Sequence, residues 1–115
     1  MLNRWPDDRL EKREALLSAV SSISDIVARN VSFGEEHCYL HPDSWDAIHD
    51  SGLLSLKLPS EIGGAEADPV TQLEVLTALA SIDTSAAWCP MVSATNVGSA
   101  GAFLPDTGVD IVFAE

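Results

Sequence analysis

The feature that most constrains this chain is a stretch without a single charged side chain, residues 85–103. More than half of its residues are alanine, glycine or serine. A helix that is apolar on all sides is surrounded by protein, and small side chains allow neighbouring backbones to approach closely. We therefore expect residues 85–103 to form a central helix that needs covering on all sides and is bent where Pro90 removes a backbone hydrogen bond. The four short helices of one domain should leave an apolar patch of it exposed.

Apolar residues spaced three and four apart predict further helices on both sides of this stretch. Residues 8–30 show this spacing over about six turns and should form an amphipathic helix. A second helix should begin at Pro42 and stop at Gly52, and a third should follow Asp68-Pro69 and run to about residue 82. With a short helix after Pro105, the predicted fold class is all-α, with four main helices plus a short terminal helix.

The segments between these helices carry weaker patterns. Residues 31–40 lack periodicity and are expected to form a loop. Leucines alternate with Ser55 and Lys57 over residues 54–58, which predicts a short extended segment. Residues 59–68 contain two adjacent glycines and should form a second loop.

The distribution of charge excludes several functions. The chain has 115 residues, 6 basic and 18 acidic side chains, and a net charge of -12, and a chain of this length forms one domain. After Lys57 there is no basic residue, so the clustered cations that bind nucleic acid or an anionic membrane are missing. The acidic second half is either a solvated face or the complement of a partner segment rich in Lys and Arg.

Location and metal binding are constrained by simpler observations. We expect no membrane span and no signal peptide, because no long apolar run occurs, and therefore a cytoplasmic protein with reduced cysteines. His37, Cys38 and His41 superficially resemble metal ligands. They lie in a predicted loop without a second ligand pair, so we expect no metal site.

Two runs of sequence resemble a known family. Residues 52–64 read GLLSLKLPSEIGG, and residues 80–88, after the third predicted helix, read ASIDTSAAW. With HPDSWDAI at residues 41–48, they resemble the N-terminal domain of acyl-CoA dehydrogenases. Residues 103–114 look closest to the flavin-dependent monooxygenases (hydroxylases) that share this fold. The resemblance covers about residues 10–115.

The resemblance implies a flavin-dependent oxidoreductase that binds FAD (or FMN) between a middle β domain and a C-terminal helical bundle. Residues 1–115 would form one helical domain without those two, as a fragment or as one piece of a split enzyme. Its partners would be the remaining domains, a partner subunit of the flavoenzyme or a second copy. We expect no catalytic or cofactor-binding residue in the chain, and neither flavin nor activity in the chain alone. The alternative is a free-standing helical interaction protein that kept the fold without the chemistry.

The same resemblance points to substrate-binding residues, because the first domain of the family lends its later helices to the substrate pocket. Trp88 is our first candidate, and Met91, Val92 and Thr95 would continue the same wall. An aromatic wall offers a large contact area with few rotatable bonds. For each residue the alternative is a place in the core, which is usual for apolar residues at helical spacing. Cys89, without a nearby base or cation, should have a raised pKa and be inert.

Overall fold

A computed structural model describes residues 4–114 of the chain. The described residues form six α-helices: α1 Arg9–Arg29, α2 Val31–His37, α3 Pro42–Ser51, α4 Pro69–Ala80, α5 Thr84–Phe103 and α6 Asp106–Val112. Two short 3-10 turns, Leu53–Ser55 and Ser60–Ile62, lie between α3 and α4. The predicted all-α class is confirmed. The predicted domain, residues 1–115, includes residues 1–3 and 115, which lie outside the described residues.

The core is formed where α1, α3, α4 and α5 meet. α1 packs against α3 and α4, and α4 packs in turn against α5. The predicted apolar face of α1 is confirmed, since Leu16, Val20, Ile23 and Val27 are all buried. Ile48 of α3 and Val75 and Leu79 of α4 complete this layer. None of the helices in residues 4–114 is long and apolar enough to cross a membrane.

Aspartates fix the starts of the three longest helices. Asp8, Asp68 and Asp83 precede α1, α4 and α5. The carboxylates of Asp8 and Asp68 each accept two hydrogen bonds from backbone N–H groups of the first turn, and that of Asp83 accepts one. Such caps satisfy donors that have no partner inside the helix. Asp68 also accepts a hydrogen bond of 3.0 Å from Nε of Arg9, which joins the starts of α1 and α4.

The loop predicted for residues 31–40 is wrong over most of its length, because α2 occupies Val31–His37. None of the residues of α2 is buried, so the helix leaves no apolar periodicity in the sequence. It is held instead by local contacts. The rings of Phe33 and His37, one turn apart, stack with centroids 4.0 Å apart, and Cys38 ends the helix in the left-handed conformation.

The extended segment predicted for residues 54–58 is also wrong. The left-handed Gly52 ends α3, as predicted, and the chain then coils into the turn Leu53–Ser55. The leucines at 53, 56 and 58 are buried against the helices, so their spacing reflects burial of a coiled segment and not strand alternation. Residues 65–67 return along this segment, and Ala65 N donates to Ser55 O at 2.9 Å.

Helix α5 is found where it was predicted, but it is not covered on all sides. Its inner side is buried and consists of small residues and Pro90. A Cβ atom on Gly98 would lie 2.9 Å from Cβ of Lys57, so glycine is needed for α5 to lie against the 53–64 segment. The opposite side is open in this chain, and Phe103 at its end is 86% exposed. The expectation that the helices of this domain leave an apolar patch of α5 exposed is therefore confirmed.

Candidate functional site

The outer side of α5 carries all four residues predicted to bind substrate. Trp88 is 62% exposed and Val92 is 37% exposed. Thr95 is exposed and Met91 is partly buried. The core alternative is therefore wrong for Trp88, Val92 and Thr95, and Met91 lies at the edge. The structure brings the four residues together on about two turns of one helix.

The sequence around Asp83 determines which way Trp88 points. Asp83 caps α5 through a hydrogen bond of 3.1 Å from Ser85 N to its Oδ1. Ala86, Ala87 and Pro90 then face the core. Trp88 lies on the opposite side of the helical turn from these buried residues, and its indole therefore projects outward.

Trp88 and Met91 line a groove between α4 and α5, which we call the α4–α5 groove. Its volume is about 230 Å³. The other lining residues are uncharged and come from the two helices: Leu76, Thr77, Ala80, Thr84 and Ala87. The groove can accept an apolar or aromatic group laid against the indole.

Met91 also borders a second groove, the Lys57 groove, of about 300 Å³. Val92, Thr95, Asn96 and Lys57 complete its lining. Nζ of Lys57 donates a hydrogen bond of 2.8 Å to Oγ1 of Thr95, and that hydroxyl donates to the carbonyl oxygen of Met91, also at 2.8 Å. Sequence reasoning missed Lys57 as a site residue. The available signal was that it is the last basic residue of the chain.

On the other side of Trp88 lies a cavity of about 420 Å³ between α2 and α5, the α2–α5 cavity. Tyr39, Cys38 and Cys89 are among its lining residues. Burial raises the pKa of the Cys89 thiol, and the negative charge of Asp83 raises this pKa further. The predicted rise of the Cys89 pKa is thus confirmed, and a thiol with a raised pKa is a poor nucleophile.

The histidines near Cys38 have local structural roles. Nδ1 of His41 accepts a hydrogen bond of 3.0 Å from Asp43 N and so caps α3. The rings of His37 and His41 both contact Phe33, with the His41 centroid at 4.6 Å. Among residues 4–114, no group of three or more His, Cys, Asp or Glu side chains is placed to hold a metal ion.

Fold and grooves together define an all-α domain whose central helix presents an uncharged, largely apolar face over open grooves. Residues 11–103 match the family model described as acyl-CoA dehydrogenase, N-terminal domain. The match covers most of the chain, and the chain belongs to this family. It carries the N-terminal domain of an acyl-CoA dehydrogenase family member, and the resemblance drawn from residues 52–64 and 80–88 is confirmed. Comparisons with curated proteins and with solved structures gave no match.

Proposed function

We propose that this chain serves a flavin-dependent oxidoreductase of the acyl-CoA dehydrogenase family by forming part of the substrate-pocket wall. Trp88, Met91, Val92 and Thr95 are the wall residues. The rest of the enzyme, a middle β domain and a C-terminal helical bundle, supplies the flavin site and the catalytic group. The family membership of residues 11–103 supports this assignment.

The observation that carries the proposal is the exposure of Trp88. An indole that is 62% exposed, on a helix face without charge and between two apolar hollows, is an unusual feature in a domain with its own core. Concave, mostly apolar surfaces with a few polar groups are typical of small-molecule sites. An acyl chain or an aromatic ring laid on this face would cover the indole.

The residues of this chain do not fit a flavin on their own. A flavin dinucleotide carries a pyrophosphate, which proteins bind with clustered cations or with a glycine-rich loop at a helix start. Among the residues that line the hollows along α5, Lys57 is the one cation. Gly63 ends the turn Ser60–Ile62 in the left-handed conformation, Gly64 packs against Leu58, and neither glycine opens a helix. We therefore assign the chain a role in substrate contact and not in flavin binding.

The proposed partner surface includes the end of α5 and helix α6. Phe103 and Ile111, at the ends of α5 and α6, are almost fully exposed. Large exposed apolar side chains on adjacent elements are typical of an interface. We assign this surface to contact with the remaining domains or a partner subunit. Because it is uncovered in the isolated chain, we expect the isolated chain to self-associate. The free thiols Cys38 and Cys89 agree with a cytoplasmic location.

The test is kinetic and uses the enzyme assembled from this chain and the remaining domains. Trp88→Ala and Val92→Ala should each raise KM for the acyl substrate, with Trp88→Ala raising it at least about fivefold, while flavin content stays unchanged. Val70→Ala is the matched control, because Val70 is an exposed valine on α4 that lines neither groove.

Two results would refute the proposal. Unchanged KM and kcat in both α5 variants would mean that this face does not contact substrate. Stable binding of an unrelated protein by the isolated chain, abolished by Trp88→Ala, would favour the free-standing interaction protein instead.

A further inference from the structure

Lys57 differs from the two arginines of α1 that pair with carboxylates. Arg9 and Arg13 of α1 form ion pairs with Asp68 and Glu74. Lys57 donates instead to a neutral hydroxyl, Oγ1 of Thr95. Among residues 4–114, no carboxylate lies within ion-pair distance of its ammonium group, although the chain has 18 acidic residues.

The position of Lys57 is determined by close packing of its backbone against α5 and by the hydrogen bond of its ammonium group to Thr95. The carbonyl oxygen of Lys57 would lie only 3.0 Å from a Cβ atom on Gly98, so α5 and the Lys57 backbone are in close contact. The hydroxyl of Thr95 is itself tied to the Met91 carbonyl, and it therefore presents an oxygen lone pair to Nζ. A lysine fixed at both ends has already lost much of the side-chain entropy that binding an anion would cost.

The surroundings of the ammonium group define what can bind beside it. Met91 and Val92 form an apolar floor in the Lys57 groove, and the amide of Asn96 lies at its edge. An ammonium has three donors, and the Thr95 hydroxyl uses one of them. One cation beside an apolar floor matches a ligand with one negative charge at the end of a short carbon chain.

We propose that Lys57 and Thr95 form an anion subsite that selects ligands with a carboxylate attached to an apolar chain. The carboxylate pairs with Nζ of Lys57, and the chain lies on Met91 and Val92. This inference rests on the proposed substrate wall, since it identifies a charged end group for a ligand that binds there. A charge-assisted hydrogen bond is stronger than a neutral one, so the carboxylate would determine selectivity.

The experiment measures binding of two probes to the chain itself by the chemical shifts of the methyl groups of Met91, Val92 and Thr95. Hexanoate carries the charge, and hexanamide has nearly the same shape without it. Hexanoate should bind at least about tenfold more tightly than hexanamide, and added salt should weaken only hexanoate. Inorganic phosphate, which cannot use the apolar floor, should bind at least about tenfold more weakly than hexanoate.

Variants of the two lysines of the chain separate charge from folding. Lys57→Met keeps the aliphatic stem and should reduce hexanoate affinity about tenfold while leaving hexanamide within about twofold. Lys57→Arg retains the cation and should keep the preference for hexanoate. Lys12→Met, on α1, is the matched control and should change neither affinity. Unchanged shifts of core methyl groups, such as those of Val75 and Leu79, measured without ligand would show that each variant is folded.

The outcomes distinguish this inference from the proposed function. Equal affinity for hexanoate and hexanamide, no binding of hexanoate, or unchanged hexanoate binding by Lys57→Met would each overturn the anion subsite. None of these results bears on the KM test of Trp88 and Val92. Binding of phosphate as tight as that of hexanoate would also overturn the proposed ligand class, because the carbon chain would then contribute nothing.

Discussion

Replacing Trp88 with alanine should cost this domain little stability, although tryptophan is the largest side chain. Trp88 is 62% exposed, so little more than a third of its surface is covered. A tryptophan buries up to about 250 Å² when fully enclosed. About 95 Å² at about 25 cal/mol per Å² gives about 2.4 kcal/mol as an upper bound. We expect a loss of about 1–2 kcal/mol in the free energy of unfolding, measured by denaturant titration.

Trp5→Ala is the matched control in the same chain. Trp5 is 7% exposed in the core, and its Nε1 donates to Oγ of Ser55 at 3.4 Å. Truncating a buried tryptophan leaves a cavity and typically costs about 3–5 kcal/mol. A loss above about 3 kcal/mol for Trp88→Ala, or equal losses for the two variants, would refute the assignment of Trp88 to an open wall.

Three further predictions concern the fold and its titrating groups. Gly64→Ala would place a Cβ atom 1.9 Å from the carbonyl oxygen of Leu58 and should lower the free energy of unfolding by more than about 2 kcal/mol. Gly34→Ala, whose Cβ atom would lie 3.5 Å from the carbonyl oxygen of Tyr39, should be neutral or slightly stabilising in the same unfolding assay. The pKa of Asp68 lies well below its usual range, because the side chain and backbone of Thr71 donate hydrogen bonds to its carboxylate and the guanidinium of Arg9 lies beside it. Its contribution to stability is therefore present above about pH 4 and is lost as the pH falls toward the folded-state pKa. Asp68→Asn should reduce the fall of the free energy of unfolding below about pH 4, and an unchanged fall would contradict this prediction. Alkylation followed by mass spectrometry should modify the exposed Cys38 well before Cys89, whose pKa is raised, and equal rates would show that burial does not protect Cys89.

Most of the helical framework was predictable because its signals are local. Asp68 and Asp83 mark helix starts, and Gly52 marks an end, since each of these residues acts on the backbone within one turn. The burial of one face of α1 follows from apolar spacing alone. These elements form in the structure at the predicted positions.

The errors occurred where tertiary contacts or exposure replace the local signal. α2 buries none of its residues, so hydrophobic periodicity cannot reveal it. Leu56 and Leu58 are buried because the segment coils against α5, and their spacing resembles the period-2 alternation of a strand. For α5, the absence of charge indicated that this domain leaves part of the helix uncovered but could not indicate which side.

The candidate site shows the same contrast between local sequence signals and tertiary contacts. Trp88 and its neighbours were predictable because they lie within eight residues on one helix and within a recognisable motif. Lys57 was not, because its partner Thr95 is 38 residues away and the two meet only through the close packing at Gly98. Contacts that depend on such packing are not encoded in any short window of sequence.

The most direct test of the central claim is the visible absorption of flavin after desalting, measured for residues 1–115 alone and for the enzyme that includes the remaining domains. We assign this chain a substrate wall and assign the flavin site to the rest of the enzyme. We predict that the chain alone shows no flavin band after desalting and that the assembled enzyme retains stoichiometric flavin. A stoichiometric band retained by residues 1–115 alone, or an assembled enzyme without flavin, would contradict it.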